Sequence, residues 1–155
     1  MDMVSVDLFQ NGGKHYIVMV DKYSGFPWVS PLRSLTSSAI LGKLENWFLD
    51  FGLPNVIRSD GGPQFRSEFD KYCDLKGIKK ETSSAYHPKS NGLAESAVKN
   101  MKHLLKKSPQ SFDAFRAALL TWRNTPKSYG YSPAQLFFGF SQNYGQGFFP
   151  PPAIH

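Results

Sequence analysis

The sequence predicts an α/β domain built on a mixed sheet, and three observations carry that prediction. Short apolar runs of strand period come first, a segment of helical period follows, and strands and helices then alternate before the chain turns wholly helical. The length of 155 residues suits one such domain and leaves little for a second core. With 41% hydrophobic and 15% aromatic residues against 19% charged, the chain can bury a core and lies far from the composition of disorder.

Residues 3–9 have strand character; the turn Asn11-Gly12-Gly13 and a second run over 15–20 make the pair a predicted hairpin. Tyr23-Ser24-Gly25 turns the chain into residues 26–32, whose Pro27 and Pro31 confine that strand to an edge of an antiparallel meander. Ile40, Leu41, Leu44, Trp47, Phe48 and Phe51 then recur at helical spacing after the cap region Thr36-Ser37-Ser38, and Gly52 and Pro54 end the helix. Residues 55–59 form a short strand ending at Asp60, Gly61-Gly62-Pro63 a loop, residues 68–76 a helix stopped by Gly77, and residues 78–82 another strand.

Beyond Ser90-Asn91-Gly92, a third helix carries Leu93, Ala94, Ala97, Val98, Met101, Leu104 and Leu105 on one face and Glu95, Lys99, Lys102 and Lys106 on the other. A fourth, over 112–124, opens on the cap candidate Ser111 and halts at Pro126, and residues 132–138 make a short fifth. The predicted domain therefore covers residues 1–139. The tail 140–155, with Phe148-Phe149-Pro150-Pro151-Pro152 and neither period, is expected to be extended or disordered.

Charge and cysteine content narrow the function. The net charge of +6 sits entirely between Lys76 and Lys107, where eight lysines face only Glu81 and Glu95, so one face should attract a polyanion. A single cysteine, Cys73, rules out an intramolecular disulfide framework, and with His15, His87, His103 and His155 it makes a poor closed zinc site. A reducing compartment is expected. No apolar run approaches the ~20 residues that cross a bilayer, and the first residues lack a signal-peptide layout, so the expectation is a soluble, intracellular protein without a membrane partner.

Three carboxylates stand in places that suit chemistry. Asp7 lies between Val6 and Leu8 in an apolar strand, where it must face water, be paired, or meet a metal. Asp60 ends a strand and opens a glycine-rich loop, the kind of place where α/β sheets put ligands, although Asp-Gly is also an ordinary turn. Glu95 falls in the first turn of a helix, where the helix dipole already favours an acid, and Lys99 and Lys102 follow it at i+4 and i+7. Converging, the three would make a hard oxygen-only site for Mg²⁺ or Mn²⁺.

Five segments, in order, resemble the integrase catalytic core of Gypsy-class LTR retrotransposons, relatives of retroviral integrases. They are Val6-Asp7-Leu8-Phe9; the run 18–25 around Val20-Asp21-Lys22-Tyr23-Ser24-Gly25; Ser59-Asp60-Gly61-Gly62-Pro63-Gln64-Phe65; the run 82–95, containing Ala85-Tyr86-His87-Pro88-Lys89-Ser90-Asn91-Gly92-Leu93-Ala94-Glu95; and Ser132-Pro133-Ala134-Gln135-Leu136-Phe137-Phe138-Gly139. The resemblance extends from about Val4 to Gly139.

It implies a ribonuclease H-like fold, with a five-stranded mixed sheet flanked by helices, and a metal-binding catalytic triad at Asp7, Asp60 and Glu95. Two Mg²⁺ or Mn²⁺ ions there would serve phosphodiester displacement without a nucleophilic side chain. By the same resemblance Lys99 and Lys102 match positions that hold the element's DNA end, Tyr86 and Asn91 fall in the loop before that helix, and Gln64 matches a polar position near target DNA. Lys89 and Lys106, from the same basic stretch, complete the candidate DNA contacts. His87-Pro88 shapes the loop rather than ligating.

The implied activity is 3′-end processing and strand transfer of retrotransposon DNA by a polynucleotidyl transferase. The implied partners are element ends, target DNA and further copies of the chain as a homodimer or higher oligomer. A nuclear location follows from where that substrate lives, with the cytoplasm otherwise, since Lys106-Lys107 is too short for a targeting signal.

Two departures from the family stand out. Asp60 and Glu95 are separated by 34 residues, one fewer than the family spacing, and the shortening lies near Phe65-Arg66-Ser67-Glu68-Phe69. The zinc-binding and DNA-binding regions that flank the core in such integrases are not among these residues. The reading from a different class is therefore a catalytically inactive, host-retained or truncated core that acts as a DNA-binding or dimerisation module. A ribonuclease acting on RNA–DNA hybrids would share the fold and metals, but the segment 132–139 gives it no support.

Overall fold

A computed structural model of the chain describes residues 1–82, 92–108 and 111–139. Strands β1 (Met3–Asn11), β2 (Lys14–Asp21) and β3 (Pro27–Leu32) precede helix α1 (Ser37–Phe51), then β4 (Val56–Ser59), α2 (Glu68–Lys76) and β5 (Lys79–Thr82). Helices α3 (Gly92–Lys106), α4 (Phe112–Asn124) and α5 (Pro133–Phe138) complete the order. The expected tail 140–155 lies outside the described residues, as do Tyr86, His87, Pro88, Lys89 and Asn91.

The five strands form one sheet in the order β3-β2-β1-β4-β5, antiparallel from β3 to β1 and parallel from β1 to β5. The predicted meander and mixed sheet are both present. The proline-bearing β3 lies at an edge, where an absent backbone donor costs no ladder bond. The first hairpin is longer than the sequence pattern suggested, because Gly12 and Gly13 both take positive φ, +58° and +78°. A two-residue turn of that kind matches strand twist, so pairing runs on to Asn11 opposite Lys14.

Each face of the sheet is covered. On one, Val4, Val6, Ile17, Met19 and Ile57 pack with Ile40, Leu41, Leu44 and Phe48 of α1 and with Phe69 and Cys73 of α2. On the other, Val18, Val20 and Val29 pack with Ala94, Ala97, Met101 and Leu105 of α3 and with Phe115 and Leu119 of α4. The alternation of β2 between the two clusters shows why that strand is apolar at nearly every position.

Helix ends follow their cap chemistry. Thr36 accepts from Ala39 N at 3.2 Å and Ser111 from Ala114 N at 3.1 Å, while Ser132 and Gln135 form a reciprocal capping box. One element was not foreseen: Pro63–Phe65, read as loop, is a single 3₁₀ turn opened by a proline whose φ is preset for it.

Candidate metal and nucleic-acid site

The parallel register points two of the three carboxylates toward the same end of neighbouring strands. Strands β1 and β4 pair Met3 with Val56, Val4 with Ile57 and Ser5 with Arg58. Asp7 lies two residues beyond the last pair on β1, and Asp60 two residues beyond it on the other segment, just past the end of β4. Strand alternation sends Val6 and Leu8 toward α1 and α2, while Asp7 and Phe9 face the α3 side.

Asp60 is exposed just past the C-terminal end of β4, and its Oδ1 accepts from Gly62 N at 2.8 Å. A Cβ at Gly62 would lie 2.5 Å from Gln64 Oε1 and 2.9 Å from Asp60 Oδ1, so a side chain there would push one or both of these side chains aside. The sequence concealed this position: a glycine before a proline reads as an ordinary turn, and nothing in the pattern shows that its neighbours are Asp60 and Gln64. Gln64 is half-buried, and its carbonyl accepts from Ser37 Oγ at 2.7 Å.

Glu95 is exposed in the first turn of α3. The helix reaches that position through its buried stripe and through the β2–β3 turn, where Gly25 at φ +72° lies against Leu93; a Cβ there would be 3.2 Å from Leu93 Cγ. The turn itself is locked by Asp21, buried at 3% exposure, which accepts from Ser24 N at 2.9 Å and Ser24 Oγ at 2.7 Å.

Seven residues beyond Glu95, about 10 Å along the axis, Lys102 pairs with Asp7. Its Nζ lies 2.9 Å from Asp7 Oδ2 and 5.7 Å from the Phe9 ring centre. The other oxygen, Oδ1, accepts from Leu8 N at 2.9 Å. This candidate DNA lysine is thus engaged within the protein, while Lys99 and Lys106 on the same helix are exposed. Lys80 is likewise committed, to Asp70 at 2.7 Å. The free positive charge is smaller than the lysine count because acids distant in sequence, Asp7 and Asp70, return to meet it.

The donor set is chemically suited to Mg²⁺ or Mn²⁺, being carboxylate oxygen throughout. Among the described residues, however, no three His, Cys, Asp or Glu side chains gather closely enough to hold a metal ion. Asp7 stands on β1, Asp60 just past the end of the neighbouring β4, and Glu95 on the helix over the Asp7 face. Tyr86, Lys89 and Asn91 lie outside the described residues.

The sheet order, with helices on both faces, is that of the ribonuclease H-like integrase cores. The catalytic core domain of BIV integrase superposes with a TM-score of 0.77 at 20% identity, over 88% of this chain and 93% of that one. The HTLV-2 integrase catalytic core domain in complex with magnesium (trimeric form) gives 0.70 at 26% identity, over 88% and 95%.

In sequence, the Pro-Pol polyprotein of simian foamy virus type 3 (strain LK3) is 35% identical over 140 residues, which is 86% of this chain and 12% of the polyprotein. Residues 1–88, more than half of the chain, match the integrase core domain family. The chain belongs to that family, and it spans about an eighth of the length of its Pol relative. No helix among the described residues is long and apolar enough to cross a membrane.

Proposed function

We propose that the chain is the catalytic core of a Gypsy-class retroelement integrase, a metal-dependent polynucleotidyl transferase that trims DNA 3′ ends and joins them to target DNA. The supporting observation is the parallel pairing of β1 with β4, which leads to Asp7 on one and to Asp60 past the end of the other, with Glu95 at the start of the helix covering Asp7's face. Two divalent cations, when bound by these carboxylates, would activate the attacking oxygen and stabilise the leaving one.

The chain's own residues supply the rest. The sheet fixes Asp7 and Asp60, and α3 carries Glu95. Lys99 and Lys106 offer exposed positive charge to a phosphate backbone without reading its sequence. Lys102 balances the charge of Asp7 at the centre of this surface. Gln64, beside Asp60 in the same loop, is the candidate contact to the target strand. Element ends and target DNA are the proposed partners, a homodimer or higher oligomer the working unit, the nucleus the location, and residues 1–139 the domain.

The test is disintegration, the reversal of strand transfer on a branched DNA substrate, with Mn²⁺. Wild-type protein should release product, and Asp60→Asn and Glu95→Gln should release none while keeping the wild-type melting temperature. Product at wild-type level from Glu95→Gln would overturn the reading. The second reading, a non-catalytic DNA-binding or dimerisation module, draws on the pairing of Lys102 with Asp7. It predicts salt-sensitive DNA affinity and no Mn²⁺-dependent cleavage.

A further inference from the structure

Phe65 and Phe69 are buried, at 1% and 0% exposure, with their rings edge to face 5.2 Å apart. Both ends of the connection Arg66-Ser67-Glu68 are therefore anchored in the core. The connection has no slack, since Ser67 sits at φ +47° and ψ −102°, the one positive φ on a non-glycine residue among those described. Such a conformation persists only where the surroundings enforce it. The Ser67 side chain makes no capping bond to α2, and only its carbonyl joins the helix, accepting from Lys71 N at 3.0 Å.

Lys80 is what spans the strained stretch. Its side chain, 17% exposed, rises from β5, and its ammonium donates both to the carbonyl of Phe65, before the connection, and to Asp70 Oδ1 at 2.7 Å, after it. The same ammonium lies 5.9 Å from the centre of the Phe69 ring. A relay runs from there to the candidate site. Phe65 N donates to Gly62 O at 3.0 Å, and Gly62 N donates to Asp60 Oδ1 at 2.8 Å.

We propose that Lys80 is a positioning residue for Asp60. It holds the carbonyl of Phe65 against the pull of the strained Ser67, and through the Phe65–Gly62–Asp60 hydrogen bonds it keeps the carboxylate aimed. The positive φ at Ser67, between two buried anchors, is the reason a brace is needed. The inference rests on the reading of Asp60 as a reaction carboxylate, but its mechanical half is measurable without metal or DNA.

The experiment compares Lys80→Met, Lys80→Arg and Lys80→Met/Ser67→Gly with wild type. Amide hydrogen exchange at Gly62 and Phe65 is followed in the metal-free protein, and the Mn²⁺ concentration giving half-maximal disintegration is measured alongside. Lys80→Met should speed exchange at Gly62 while Val18 in the central strand stays protected, and should raise the Mn²⁺ midpoint about tenfold, as loss of a supporting contact to a metal ligand does. Lys80→Arg, which keeps the charge and donors, should stay near wild type. Adding Ser67→Gly, which tolerates positive φ, should return both readouts toward wild type.

Unchanged exchange at Gly62 in Lys80→Met would overturn the proposal, as would a rise shared equally by Val18. Absence of Mn²⁺ response in the wild type, with Gly62 exchange still dependent on Lys80, would uphold the brace and refute the enzymatic reading instead.

Discussion

Asp7 and Asp60 stand on or beside hydrogen-bonded strands whose register fixes their level, whereas Glu95 stands on a helix located by side-chain packing. The first arrangement is rigid by backbone geometry. The second depends on Leu93 against Gly25 and on the buried stripe Ala94, Ala97, Met101 and Leu105. The two sides are held by different forces, and substitutions on them should therefore fail differently.

The largest effect is expected on the sheet side. Phe69→Ala empties a fully buried position between α2 and β5 and should cost about 3–5 kcal/mol in chemical denaturation. Its local signature would be faster exchange at Gly62. Gly25→Ala strikes the helix side, where a positive φ and a 3.2 Å approach to Leu93 should cost about 1–3 kcal/mol. It should loosen the first turn of α3 while the amides of β4 keep their protection, a contrast that hydrogen exchange resolves directly.

Lys102→Met separates charge from scaffold. The pair with Asp7 is more than one-third exposed on both sides, so its loss should change stability by less than about 1 kcal/mol. If Lys102 reaches phosphate in the DNA complex, the slope of log affinity against log salt should fall by about one.

The smallest effects concern ionisation. Burial pushes the half-buried Lys127 amine down to about 8, where Nζ donates to Trp122 O at 2.9 Å and lies over the indole ring. Between that value and the ordinary 10.5, the unfolded chain binds the proton that the folded chain has released, so stability rises with pH through this window. Lys127→Met should flatten the rise between pH 8 and 9 in thermal unfolding. Burial also pushes the Cys73 thiol up to about 11. A disulfide reagent at pH 8 should therefore leave native protein unlabelled and react as α2 opens, which makes Cys73 a reporter of the sheet side.

Much of this was legible in the sequence. Period and punctuation located all five strands and the helices, because caps such as Thr36 and Ser111 and stops such as Gly52 and Gly77 act within a few residues. The prolines of β3 announced an edge strand for a reason equally local. The candidate carboxylates were legible one by one and, through the ordered motifs, as a set.

What stayed hidden depends on the third dimension. Lys80 and Lys102 counted as free charge until Asp70 and Asp7 arrived from other elements. Gly62 looked like punctuation until Gln64 and Asp60 were seen to fill the space where its Cβ would be. The positive φ at Ser67 had no signature in the sequence either, since it shows only between the buried anchors Phe65 and Phe69.

The central claim is that Asp7, Asp60 and Glu95 form one metal site, and Mn²⁺ anomalous diffraction from crystals of the protein tests it most directly. The account predicts a peak between the carboxylates of Asp7 and Asp60, with Glu95 drawn toward it and Lys102 displaced from Asp7, and loss of that peak in Asp60→Asn. A peak elsewhere, or none at saturating Mn²⁺ with all three side chains well ordered, would contradict it.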